Sequence, residues 1–225
     1  MLEIFGPTIQ GEGPVAGKPC HFIRLAICDY RCEWCDTKES WTAEHATKMV
    51  ITDIAEDVAA LGPTNLITIT GGNPCVHPGV DRMMRAIYQL MPNVAFSVET
   101  QGSIWQEWVR NLEYCVVSPK GPSSGMVTKH KMNVLDKFMW ETRHPYLKVV
   151  VFNDEDYGWA KFMHERYRMI PFYVSCGTDE PYTGFEAIGE RYRWLCEKVA
   201  HDPNMQNVTV FPQLHKLAWG AEKGR

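Results

Sequence analysis

The sequence predicts an α/β protein, an incomplete (β/α) barrel with about six core parallel strands, open on one side. Three observations predict it. Short β-branched or aromatic runs alternate with amphipathic stretches along the chain, and parallel strands need such crossovers. The distinctive motifs fall just after these runs, where the loops of such folds carry their chemistry. At 225 residues the chain is shorter than the ~250 of a full eight-unit barrel, yet long enough to bury a core without disulfides. A single domain over 1–225 is the expectation.

Taken in order, Met1–Phe5 runs into a Gly/Pro-rich loop with no basic-then-apolar leader, so no signal peptide is expected. The first strand is His21–Ala26, and three cysteines follow it. Thr52 reads as the N-cap of a helix over Asp53–Leu61, with acidic residues early, where the helix dipole favours them. Leu66–Thr70 is the second strand, closed by Gly71-Gly72-Asn73-Pro74. Pro78 suits a first helical position, and Val80, Met83, Met84, Ile87 and Met91 then recur on one face. Val94–Glu99 leads into Thr100-Gln101-Gly102, and Tyr114–Ser118 into Pro119-Lys120. Strands Tyr146–Phe152, Phe172–Ser175 and Val208–Phe211 alternate with helices Glu155–Arg168 and Phe185–Ala200.

The hydrophobic fraction of 45% and net charge of −4 fit a soluble globular protein and give no nucleic-acid or membrane surface. No apolar run is long enough to span a bilayer, so a cytoplasmic protein is expected. In a reducing cytosol the eight cysteines would be thiols, ligands or catalytic groups. Cys20, Cys75, Cys115, Cys176 and Cys196 are scattered and read as small buried hydrophobes. Cys28, Cys32 and Cys35 form a C-x₃-C-x₂-C set.

Three thiolates this close can hold three irons of a [4Fe–4S] cubane. The fourth iron is then open to a ligand chelating through amine and carboxylate. Zinc is the alternative, but it takes four ligands, usually as two pairs, and His21 and His45 make no second pair. A chance group of core cysteines fits poorly with the interleaved Arg31, Glu33 and Asp36.

The C-x₃-C-x-aromatic-C motif after a first strand resembles the radical S-adenosylmethionine (SAM) superfamily. Further segments resemble one family within it, the 7-carboxy-7-deazaguanine synthases, and its Bacillus-type form most. These are Glu3–Gly13, Phe22-Ile23-Arg24, Cys35-Asp36-Thr37, Gly71–Pro74, Glu99–Gly102, Ser118-Pro119-Lys120 and Pro212–His215. The resemblance runs from Leu2 to about Gly224 and implies a radical SAM-type barrel, a cluster, SAM and Mg²⁺. It also implies radical ring contraction of 6-carboxy-5,6,7,8-tetrahydropterin to 7-carboxy-7-deazaguanine with loss of ammonia, toward queuosine and other deazapurines.

On that resemblance the cluster falls to Cys28, Cys32 and Cys35. SAM falls to Trp34, Gly72, Ser118, Pro119, Lys120, Ser175, Cys176, Gly177 and Thr178, and Mg²⁺ to Thr37. The pterin falls to Ile9, Gln10, Gly11, Glu12, Arg24, Thr70, Gln213 and His215. Arg24 offers a planar fork for the carboxylate; its other reading is a pair with a protein carboxylate such as Glu99. Asn73 stands where radical SAM proteins usually have Glu, so no carboxylate role carries over. The chain continues past His215, so contacts made by a terminal carboxylate in shorter relatives do not carry over either. Expected partners are an electron donor such as flavodoxin or ferredoxin and a second copy in a homodimer. Two rivals remain: a glycyl-radical activating enzyme, and a non-enzymatic Fe–S or zinc module.

Overall fold

The computed structural model describes residues 1–178, 184–220, 222 and 224. Its frame is one eight-stranded sheet in chain order. The strands are β1 (Glu3–Ile9), β2 (Pro19–Leu25), β3 (Leu66–Gly71), β4 (Ala95–Thr100), β5 (Tyr114–Val117), β6 (Pro145–Val151), β7 (Phe172–Cys176) and β8 (Val208–Phe211). From β2 to β8 every pairing is parallel. β1 lies antiparallel to β2 along the first edge. The sheet runs from β1 to β8 without closing, so the open barrel is as expected, with seven parallel strands.

Side-chain alternation along each strand divides the residues between two faces. One set, including Ile23, Ile67, Ile69, Phe96, Val98, Val117, Leu147 and Val149, packs with the helices in the main core. Those helices are α1 (Ile51–Ala60), α2 (Val80–Leu90), α3 (Met132–Glu141), α4 (Asp154–Arg166) and α5 (Phe185–Ala200). The other set points inward. Phe5, Val15, Cys20, Phe22, Leu66, Ala95 and Tyr114 make a small apolar cluster there. Farther along the strands the inward positions turn polar, with Arg24, Thr70, Glu99, Ser118 and Lys148 lining a cavity.

Local departures from the sequence reading have local causes. β1 replaces the loop expected there: Gly6-Pro7 interrupts its pattern, and the register slips between Phe5 and Thr8. Thr52 is not a cap. α1 begins at Ile51 behind Val50, and the Thr52 hydroxyl bonds Asp53 inside the first turn, 3.2 Å away. Pro78 precedes the Gly79 cap of α2 instead of opening the helix. α4 carries the cap that α1 lacks: Asn153 accepts from the Asp156 N–H at 3.0 Å, with three acidic residues in its first turn. α3 and the short α6 (Leu214–Trp219) were not anticipated. Ala221, Lys223 and Arg225 of the tail lie outside the described residues.

Candidate active site

The loops leaving the carboxyl ends of the strands surround one cavity of about 220 Å³. At one end is the cysteine loop. Its entry is tight: Ile27 adopts φ 75°, unfavourable for a β-branched residue. The Gly71-Gly72 turn presses against it. A Cβ on Gly71 would lie 1.9 Å from the Leu25 carbonyl, and one on Gly72 2.3 Å from that of Ile27. The glycines therefore allow the β3 turn to reach the backbone that launches the cysteines.

Cys28, Cys32 and Cys35 are free thiols and line the cavity together. Burial raises the pKa of all three, that of Cys32 to about 11. Such thiols lose their protons when iron takes the proton's place. The Cys28 sulfur accepts the Tyr30 N–H at 3.4 Å and the Gln101 amide at 3.7 Å. Among the described residues no three Cys, His, Asp or Glu groups converge to hold one metal ion. A cubane binds each thiolate at a separate iron, and three thiols lining one cavity are a donor set that fits it.

Asn73 is fully buried and does not line the cavity. It donates to Asp29 at 2.9 Å and Ser103 at 3.1 Å, and accepts from Thr100 at 2.8 Å. Gln101 also donates to Asp29, at 2.6 Å. Asp29 lies inside the cysteine motif, so Asn73 braces that loop. Trp34 lines the cavity, its ring centre 5.0 Å from that of Phe152 and 5.5 Å from the Lys120 ammonium. Lys120 in turn donates to Ser118 at 3.2 Å. Gly72 and Thr178 also line the space, but Pro119, Ser175, Cys176 and Gly177 do not. Cys176 belongs to the main core.

The same cavity joins early and late parts of the chain. Ile9, Gln10, Gly11, Glu12, Arg24, Thr70, Gln213 and His215 all line it. Leu214 N–H donates to the Gly11 carbonyl at 3.1 Å. Gln213 donates to Glu12 and accepts from Thr178. Gln10 donates to Glu99 at 3.1 Å. Arg24 pairs with Glu3, which β1 supplies, and not with Glu99. Its other arm lies 3.4 Å from the Thr37 hydroxyl, which donates to Asp36 at 3.0 Å.

Lys148 was not anticipated. Its ammonium is ion-paired with Glu12 and lies 3.7 Å from Glu99. Burial favours protonated Glu12, but Lys148, His215 and Gln213 outweigh it and hold the carboxyl near 2. Burial acts against the charged Lys148 too, and its two carboxylates reverse that and raise its pKa. The sequence held one signal, a lone lysine in the apolar run Tyr146–Phe152.

Residues 22–118 match the radical SAM superfamily. The 7-carboxy-7-deazaguanine synthase of Bacillus cereus is 38% identical over all of this chain and 98% of its own length. That of Bacillus subtilis is 39% identical over all of this chain and 97% of its own. The crystal structure of QueE from Escherichia coli superposes with a TM-score of 0.60 at 19% identity, covering 94% of this chain and 92% of that one. Streptococcus suis SuiB bound to S-adenosylmethionine gives 0.61 at 12% identity over 88% of this chain and 51% of that one. At those identities the two structures speak for the fold alone. The Bacillus relatives, matched end to end, show that the chain belongs to the 7-carboxy-7-deazaguanine synthase family of the radical SAM superfamily.

Proposed function

We propose that the chain catalyses the radical ring contraction of 6-carboxy-5,6,7,8-tetrahydropterin to 7-carboxy-7-deazaguanine with loss of ammonia, in queuosine and other deazapurine biosynthesis. The observation that carries this reading is the shared cavity. The cysteine triad opens onto the same space as the Ile9–Glu12 loop, Arg24, Thr37, Gln213 and His215.

When bound, a [4Fe–4S] cluster on Cys28, Cys32 and Cys35 supplies the electron that cleaves SAM to a substrate-activating radical. The protein's share is placement. Trp34, Gly72, Ser118, Lys120 and Thr178 line the same cavity as the triad and would hold SAM there. Gln10 and Glu12 present an amide and a carboxylate to the pyrimidinone edge of the pterin. Arg24 meets the substrate carboxylate with the arm that Glu3 leaves free.

Thr37 and Asp36 offer neighbouring oxygens in the same cavity, within reach of Arg24. A hydroxyl and one carboxylate make a partial set for Mg²⁺, which commonly completes its shell with water and substrate oxygens. Mg²⁺ there would neutralise and orient the carboxylate. A one-electron donor such as flavodoxin or ferredoxin, a homodimeric state and a cytoplasmic setting complete the proposal. Among the described residues no helix is long and apolar enough to cross a membrane.

The test is anaerobic incubation with SAM, a reductant, Mg²⁺ and the carboxytetrahydropterin, followed by product mass. The expected product is the deazaguanine acid, with turnover that falls on Mg²⁺ removal and recovers on its return. SAM cleavage with the pterin unchanged would overturn the substrate assignment.

A further inference from the structure

Lys148 stands inside the barrel on β6, its side chain 5% exposed. An ammonium buried alone is costly. Glu12, from the loop after β1, and Glu99, from β4, offset that cost from two sides. Each carboxylate is also held laterally, Glu12 by Gln213 and Glu99 by Gln10. Lys148, Glu12 and Glu99 all line the cavity. Other charged or titratable groups that interact with the pair are His215 and Cys176 with Glu12 and Asp36 with Lys148. Two carboxylates share one ammonium, so this end of the cavity offers acceptors beyond those that Lys148 occupies.

We infer that Lys148 is a positioning residue. It holds Glu12 in place as an ionised acceptor, so that this end of the cavity selects a ring edge rich in N–H donors, of the 2-amino-4-oxopyrimidine class. The inference rests on the pterin reading above and adds what fixes the ligand's orientation. A residue acting through Glu12 leaves a signature that a merely structural lysine does not. Without the ammonium, a buried Glu12 beside Glu99 protonates at higher pH, because burial and a like charge both disfavour its ionisation. Ligand binding then becomes pH-dependent over a range where the wild type is flat.

The test uses cluster-loaded protein and equilibrium dialysis of 6-carboxypterin, an unreactive aromatic analogue with the same pyrimidinone edge. Lys148→Met should weaken binding roughly tenfold or more near pH 6.5, and the loss should shrink as pH rises toward 9. Glu12→Gln should be weak at every pH. The Glu12→Gln/Lys148→Met double variant should be no weaker than Glu12→Gln, since coupled residues do not add. 6-Carboxylumazine, with an oxygen acceptor in place of the 2-amino donor, should bind wild type poorly.

Additive losses, a Lys148→Met loss equal at every pH, or lumazine binding as tight as pterin binding would each overturn the inference. If Lys148→Met does not fold, the double variant removes both charges together. A further tenfold loss below Glu12→Gln would then be the overturning result. Wild-type protein that ignores 6-carboxypterin would instead defeat the pterin reading itself.

Discussion

Arg24 shows how one side chain can serve the frame and the site together. Its Nε is committed to Glu3, its guanidinium lies 5.7 Å from the centre of the Phe5 ring, and its other arm reaches Thr37 and the cavity. A lysine has no second arm, so it can satisfy Glu3 or a substrate carboxylate but not both. Arg24→Lys should therefore lower 6-carboxypterin affinity by ~2 kcal/mol or more, with iron content and SAM binding near wild type. Normal affinity in that variant would show that Arg24 only fastens β1. Arg24 was legible as a site residue, but its partner was not, because Glu3 faces it only through a strand whose pattern Gly6-Pro7 hides. Cys28, Cys32 and Cys35 were legible because ligand spacing is local. Lys148 was not, because its meaning depends on Glu12 and Glu99, which are distant in sequence.

At the scale of elements, the seven parallel strands were legible from β-branched runs bounded by turn residues. The α1 and α2 caps were misplaced because Thr52 and Pro78 each suit several positions near a helix start. The fit of the segment after β8 onto the loop after β1 had no sequence signal beyond the family resemblance. That fit turns on Gly11. A Cβ there would lie 2.2 Å from the His215 ring nitrogen and 2.9 Å from the His215 backbone nitrogen. Gly11→Ala should push residues 213–215 outward and break the Gln213–Glu12 bond. Dialysis should show pterin affinity falling roughly tenfold, while the iron-to-protein ratio stays unchanged. If the ratio falls with the affinity, the contact supports the whole fold and not the pterin end alone.

For the whole molecule, an open barrel with a charged interior ties stability to pH. Glu12 titrates near 2 instead of its ordinary 4.5, so its contribution is complete above pH 4.5 and is lost as pH falls toward 2. The raised Lys148 adds stability that is complete below its ordinary 10.5 and is lost at more alkaline pH. Between pH 5 and pH 2.5 the wild-type melting temperature should fall by roughly 5 °C more than that of the Glu12→Gln/Lys148→Met variant. Parallel curves would mean that this pair does not govern acid unfolding. The union of the loop after β1 with the segment after β8 also sets an order on biosynthesis. Cys28, Cys32 and Cys35, with the Gly72 and Asn73 supports behind them, leave the ribosome early, and Gln213 and His215 follow only after all eight strands have been made. A nascent chain can therefore present its iron ligands while its pterin end still lacks its last wall, and translation halted after β7 would leave out Gln213 and His215 with the cysteines already made.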